Sequence, residues 1–393
     1  MNYEYKTKPY EHQVKTLEQS CDKPAHALFL EMGLGKSKIL IDNIGILFLD
    51  KKITGAVVVA PKGVLDNWSI NEIDRHLPDT IERNVLVWQS NHTQQWTKDF
   101  KSMVEEDSTG KLNFLLINVE ALATDKGAKH LQEFLATHDC MLAIDESTTI
   151  KNPKAKRTKN LVKLAPMAKY RRILTGFPIT KAPLDLYSQC YFLHPELLGY
   201  NSYYAFRARY AITQRRQVGS HAFDHIVGYQ RLDELQESIK HFSTRYKKED
   251  CLDLPEKLYI KRYVELTTEQ KKAYEQMKKE AIMILEEETF TTVNVLTQLM
   301  RLQQVVAGSL RGPDGNVIKL KNNRLQSVLD VIEETQGKVV IFGVFHTDIE
   351  TLAEALQSKY GRNSTATYYG NTPQSERQNI ITRFQDPDNE LKY

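Results

Sequence analysis

Between residues 27 and 44 the sequence passes from an unbroken apolar run, Ala27-Leu28-Phe29-Leu30, through Glu31-Met32-Gly33-Leu34-Gly35-Lys36-Ser37 into Lys38-Ile39-Leu40-Ile41-Asp42-Asn43-Ile44. The first run has the composition of a strand buried on both faces, and the last has the apolar spacing of a helix packed on a sheet. Strand, glycine turn and helix in that order predict an α/β fold with a parallel sheet. Gly33 and Gly35 let the backbone turn tightly and aim N–H groups at an anion, and a helix starting near Lys36 adds its positive dipole end. In such a phosphate cradle Met32, Gly33, Leu34 and Gly35 supply backbone, Lys36 reaches the β- and γ-phosphates of ATP, and the Ser37 hydroxyl ligates magnesium. The general P-loop pattern places glycine at position 30, where this chain has Leu30. Taken alone, the stretch reads equally as a nucleotide site or an ordinary glycine-rich turn.

With 393 residues the chain has room for two or three domains. Its 53 Lys+Arg against 50 Asp+Glu leave a net charge of +3, which permits a polyanionic partner without demanding one. Cys21, Cys140, Cys190 and Cys251 form no Cys-x-x-Cys pair, so reduced thiols and a cytosolic setting are expected. No apolar stretch approaches the ~20 residues of a membrane span, and the polar start is no signal peptide.

Along the chain, Gln13 opens a helical pattern; its amide could read adenine, or it is a surface glutamine at a helix start. Ala56-Val57-Val58-Val59-Ala60 reads as a central parallel strand ending in Pro61-Lys62, where Lys62 could touch a phosphate, and Trp68 reads as core. Cys140-Met141-Leu142-Ala143-Ile144 is a strand that delivers Asp145 and Glu146 to its end. Asp145 is suited to hold magnesium and Glu146 to activate the water that attacks the γ-phosphate. The basic run from Lys151 to Lys159 either follows a phosphate backbone or is a solvated helix face. Arg171-Arg172-Ile173-Leu174-Thr175-Gly176-Phe177-Pro178-Ile179 is another strand with a tight turn at its carboxyl end.

The order Gln13, Gly-Leu-Gly-Lys-Ser, Val-Ala-Pro-Lys…Asn-Trp, Asp-Glu-Ser-Thr…Ile-Lys-Asn and Leu-Thr-Gly-Phe-Pro-Ile resembles the Swi/Snf-type DNA-translocating ATPases of helicase superfamily 2. So do Leu184 to Gln189, Phe192 to Gly199, Arg245 to Asp250 with Leu254-Pro255-Glu256-Lys257, and Gly370-Asn371-Thr372…Arg377…Phe384. The resemblance implies tandem RecA-like lobes with parallel sheets: an ATP-binding lobe over 1–195, helical protrusions over 196–320, and an incomplete second lobe over 321–393. It implies duplex DNA, held through its phosphate backbone without regard to sequence, as the partner. Thr175 and Gly176 in the first lobe, and His346, Thr347 and Thr372 in the second, become candidate contacts to it. Gly337 to Gly343 is the expected opening strand of the second lobe, and Arg377 braces a helix.

The family's last motifs, including the Gln-x-x-Gly-Arg stretch that completes the ATP site, have no match here, so ATP binding with weak hydrolysis is expected. Phe177 stands where the family has threonine, and Asp-Glu-Ser-Thr where the DEAH-box pattern or Asp-Glu-Ser is common. The expected activity is double-stranded-DNA translocation driven by ATP. The alternatives are a strand-separating helicase on single strands and a nucleotide-gated DNA clamp without turnover, or one that a protein partner completes. A compact core without chromatin-reader or targeting modules points to the cytoplasm of a bacterium or of a phage-infected host.

Overall fold

A computed structural model describes residues 3–105, 110–218, 221–286, 292–311 and 316–393. The polypeptide divides into two units, Met1–Glu256 and Lys257–Tyr393.

The first unit is built on a seven-stranded sheet in the order β3-β4-β2-β5-β6-β1-β9, with every neighbouring pair parallel. Its strands are β1 (Ala25–Leu30), β2 (Gly55–Ala60), β3 (Arg83–Val87), β4 (Leu112–Asn118), β5 (Cys140–Asp145), β6 (Tyr170–Leu174) and β9 (Ser243–Tyr246). The central strands read as continuous apolar runs because both faces are covered. Alternate side chains feed two separate cores. Ala27 and Phe29 of β1 pack with Phe134, Leu161 and Phe192 on one face. Leu28 and Leu30 pack on the other with Ile39, Leu40 and Ile44 of α2 (Lys36–Leu49) and with Trp68. Each fully buried Leu, Ile or Phe contributes roughly 1.5–3 kcal/mol, so the sheet is fixed in place by its two covered faces.

The expected boundary after residue 195 differs from this division. Residues 196–256 stay with the first unit, because β9 returns to pair with β1 in the register Leu28↔Thr244 and Leu30↔Tyr246. The region read as helical also carries an antiparallel hairpin, β7 (Ala211–Val218) and β8 (His221–Tyr229). The run Thr213-Gln214-Arg215-Arg216-Gln217 is polar on both faces and shows no apolar alternation, so hydrophobic patterning does not reveal it.

Two buried polar side chains lock β1, β6 and β9 to α1 (Glu11–Ser20) and α2. Arg172, fully buried, donates to Asn43 Oδ1 (3.1 Å) and to the Ser20 and Cys21 carbonyls (2.7 and 3.3 Å) at the end of α1. His26 Nε2 donates to Thr244 Oγ1 at 2.9 Å, while Thr244 donates to Gln19 Oε1; His26 Nδ1 is buried without a partner, which fixes a neutral ring.

In the second unit, helices Arg324–Glu334, His346–Tyr360 and Gln374–Gln385 are formed. Gly337 to Gly343, expected as a strand, has no strand assignment, and Val340 and Phe342 are exposed. Of that stretch, Val339 N–H donates to Lys392 O (2.8 Å), and nearby Ala366 N–H donates to Tyr393 O (3.0 Å). Among the described residues no helix is long and apolar enough to cross a membrane.

Burial, with the charges of Arg172 and Lys23, pushes the His26 imidazole down to about 3, and burial with Lys38 and Arg75 pushes His76 to about 4. Between those values and the ordinary 6.5 the unfolded chain binds protons that the folded chain refuses. Stability therefore falls as the pH falls through that window, by up to ~1.4 kcal/mol per pH unit for each histidine. Urea unfolding at about pH 7.5 and about pH 5 is expected to show this loss, and His26→Gln, although less stable at the higher pH, to show a shallower one.

Candidate nucleotide site

The parallel register sets the functional residues level. Leu28 of β1 lies beside Leu174 of β6, and Leu174 beside Asp145 of β5, so the segments after these strands leave the sheet together at its carboxyl edge. After β1, Gly33 and Gly35 take left-handed conformations with φ of +84° and +75°, and Lys36 opens the 14-residue helix α2. Lys36 Nζ donates to the Leu30 and Glu31 carbonyls at 3.0 and 3.4 Å. Burial lowers its proton affinity, against the charges of Glu146 and Asp145 and along with that of Lys248.

Asp145 is held from two sides: Trp68 Nε1–H donates to Oδ2 and the Glu146 N–H to Oδ1, both at 3.0 Å. Trp68 is therefore core and more, since it orients the carboxylate while its ring is buried. Glu146 itself adopts φ +49°, a left-handed conformation that few non-glycine residues take, which turns its side chain out of the strand direction. Thr175 Oγ1 donates to Glu146 Oε2 at 3.4 Å. Burial raises both carboxyl groups above their ordinary range, and for Glu146 the charge of Asp145 adds to the effect.

The remaining first-unit candidates are placed as follows. Gln13 is buried against the turn: its Nε2 donates to Leu34 O (3.2 Å) and its Oε1 accepts from Tyr10 N–H (3.0 Å), so both ends of the amide brace the loop. Thr175 is 1 % exposed and faces Glu146 rather than the surface. Gly176 packs on the loop itself, where a side-chain carbon would lie 3.4 Å from Met32 N. Lys62 is exposed in the turn after β2.

Two further residues belong to the neighbourhood. Glu72, one helical turn after Trp68, accepts a hydrogen bond from Asn67 Nδ2 (3.2 Å); burial raises its carboxyl group, and the nearby Ser37 hydroxyl acts against that rise. The i,i+4 spacing of Trp68 and Glu72 was the available signal. Lys248, just after β9, reaches the glycine turn from a distant part of the sequence. A buried relay joins motifs as well: Ser147 Oγ donates to Gln189 Oε1 (2.7 Å), and Gln189 Nε2 donates to Pro178 O (2.8 Å) in the Thr175–Ile179 turn.

In the second unit His346 is exposed with its ring 5.0 Å from that of Tyr369. Thr347 Oγ1 donates to Ser309 Oγ (3.3 Å), and Thr372 Oγ1 donates to Thr367 O (2.9 Å). Arg377 bonds the Thr372 and Tyr369 carbonyls, bracing that turn.

A profile of the SNF2-related domain matches residues 12–309. The chain belongs to the SNF2-related domain family. Among curated relatives, this SNF2-related chain is 24% identical over 360 residues to a Mycoplasma genitalium protein named "Uncharacterized ATP-dependent helicase MG018", covering 90% of this chain and 31% of that protein. It is 23% identical over 372 residues to a Bacillus subtilis protein named "Putative ATP-dependent helicase/translocase YwqA", covering 90% of this chain and 37% of that one. The chain thus spans about a third of the length of these relatives. The Sulfolobus solfataricus SWI2/SNF2 ATPase core, solved in complex with dsDNA, aligns with a TM-score of 0.50 and 23% identity over 98% of this chain and 77% of that one. The α/β fold with RecA-like organisation is the SWI2/SNF2 core fold.

Gly35→Ala is expected to destabilise the turn by about 1–2 kcal/mol, because φ +75° is unfavourable for alanine. The added methyl would also lie 2.2 Å from Gln13 Nε2 and displace its bond to Leu34 O. A lowered urea midpoint together with weakened binding of a fluorescent ATP analogue checks this.

Proposed function

We propose that this chain is the ATP-hydrolysing part of a double-stranded-DNA translocase, with ATP bound at the glycine turn after β1. The observation that carries the reading is the meeting of Lys36 with Asp145 and Glu146, which arrive from separate strands at one sheet edge and act on one another electrostatically. In this reading the loop amides and Lys36 hold the triphosphate, and the start of α2 stabilises its charge. Glu146, steered by Thr175, takes the proton of the attacking water; its raised proton affinity suits a base.

Magnesium fits the donor set. Ser37, Asp145 and Glu72 offer only oxygen. That matches a hard cation held by one or two protein oxygens together with substrate phosphates. Ser37 and Asp145 would hold it, and when bound it would neutralise phosphate charge. Trp68 keeps Asp145 in place for that role.

Duplex DNA is proposed as the track because the motifs and the family agree on it, and because the SWI2/SNF2 core of matching fold was solved with dsDNA. Lys62 lies exposed at the carboxyl edge of the first unit's sheet, as does the turn at Gly176 and Phe177. His346, Thr347 and Thr372 are the proposed second-unit contacts, with Thr372 shaping its turn. Thr175 acts inward, on Glu146.

Phosphate release measured without nucleic acid, with single-stranded DNA and with duplex DNA tests the reading. Slow release that rises most with duplex is expected, with Lys36→Ala abolishing it. Glu146→Gln should cut release by about 10²–10⁴-fold while ATP still binds. Release driven by single strands alone would favour a strand-separating helicase.

Lys62→Ala should weaken duplex binding equally for unrelated sequences and reduce the log–log salt slope by about 0.9. Fluorescence anisotropy across a salt series reads both effects.

A further inference from the structure

The segment that follows β9 is fastened to the glycine turn through its backbone. Glu31 N–H donates to Tyr246 O at 3.1 Å, and Lys248 N–H donates to Glu31 Oε2 at 2.9 Å. From that anchor the Lys248 side chain crosses Gly33: a carbon added to Gly33 would lie 3.6 Å from Lys248 Cε and 3.8 Å from its Nζ. The neighbouring Lys247 is neutralised by Glu249 at 2.7 Å. Among the described residues the Lys248 ammonium has no carboxylate at ion-pair distance and no hydrogen-bond acceptor. Lys36, on the other side of the turn, gives its donors to two backbone carbonyls and likewise has no ion pair among the described residues.

The two ammonium groups near this turn of left-handed glycines repel one another; Glu146 and Asp145 partly compensate Lys36, while Lys248 has no carboxylate at ion-pair distance among the described residues. A polyanion at the turn relieves that repulsion and satisfies both sets of donors. We propose that Lys248 is a second phosphate-binding cation of the nucleotide site, brought there by the strand that completes the first unit's sheet. The inference rests on the reading that the glycine turn binds ATP and extends it to a residue that is distant in the sequence. Lys248 lies on the stretch that leads out of the first unit at Glu256, so a phosphate held by Lys248 ties that stretch to nucleotide occupancy.

The side chain and the backbone of Lys248 separate cleanly, because the bond to Glu31 uses the N–H that any residue but proline retains. Isothermal titration with ATP, ADP and AMP would be run on the wild-type chain, Lys248→Ala, Lys248→Arg and Lys36→Ala. Lys248→Ala is expected to weaken ATP about tenfold, the size of one charge-assisted hydrogen bond, with a smaller loss for ADP and the least for AMP. Lys248→Arg should recover most of the affinity. Lys248→Gln, which keeps the length and loses the charge, replaces the alanine variant if that one fails to fold. A wild-type chain that binds no ATP overturns the nucleotide reading, and this inference with it. Wild-type binding that Lys248→Ala and Lys248→Gln leave unchanged overturns this inference alone. So does a loss that is equal for ATP and AMP and is not recovered by arginine, since that pattern belongs to a side chain that only shapes the turn.

Discussion

Everything at the candidate site depends on the parallel hydrogen-bonded register of β5, β6, β1 and β9. Parallel pairing sends every strand's carboxyl end to one edge, and the registers Asp145↔Leu174, Leu28↔Leu174 and Leu30↔Tyr246 set those ends level. A slip of one residue would exchange the two faces of a strand and place Leu28 and Leu30 in the layer now filled by Ala27 and Phe29. The two cores therefore enforce the register, and the register positions the chemistry. Arg172 and His26 add polar locks where apolar packing alone would leave α1 and β9 less strictly placed.

Within that frame the site is organised by charges kept partly out of water. Burial favours the neutral forms of Asp145, Glu146, Glu72 and Lys36, and the opposite charges partly compensate one another. Each carboxylate also has a neutral donor: Trp68 and a backbone N–H for Asp145, Thr175 for Glu146, Asn67 for Glu72. Such donors orient a carboxylate without neutralising it. The Ser147–Gln189–Pro178 relay extends the same device away from the glycine turn, so that the ends of β5 and β6 are held as one piece.

The motifs were legible because each keeps its chemistry within a few residues: the glycine turn with Lys36 and Ser37, the Asp145-Glu146 pair after its strand, and Thr175-Gly176 after the next. What escaped were the partners that meet them in space. Trp68 reads as core and is core, yet its indole N–H serves Asp145, 77 positions away. Gln13 reads as an adenine reader, and the fold turns both ends of its amide onto the loop and Tyr10. The β7–β8 hairpin and the return of β9 to the sheet were illegible, because most of β7 is polar on both faces and β9 is only four residues long.

The sequence by itself determined the α/β class, the family motifs and the identity of the local glycine-turn and carboxylate groups, since a tight turn and a buried strand are written in neighbouring residues. Tertiary structure alone decided that Glu72 meets Ser37, that Thr175 faces Glu146, and that β9 and Lys248 belong to the first unit. The physical reason is that hydrogen bonds and charge contacts act over a few ångströms of space whatever the distance along the chain. Which residues come that close is settled only when the strands have found their register.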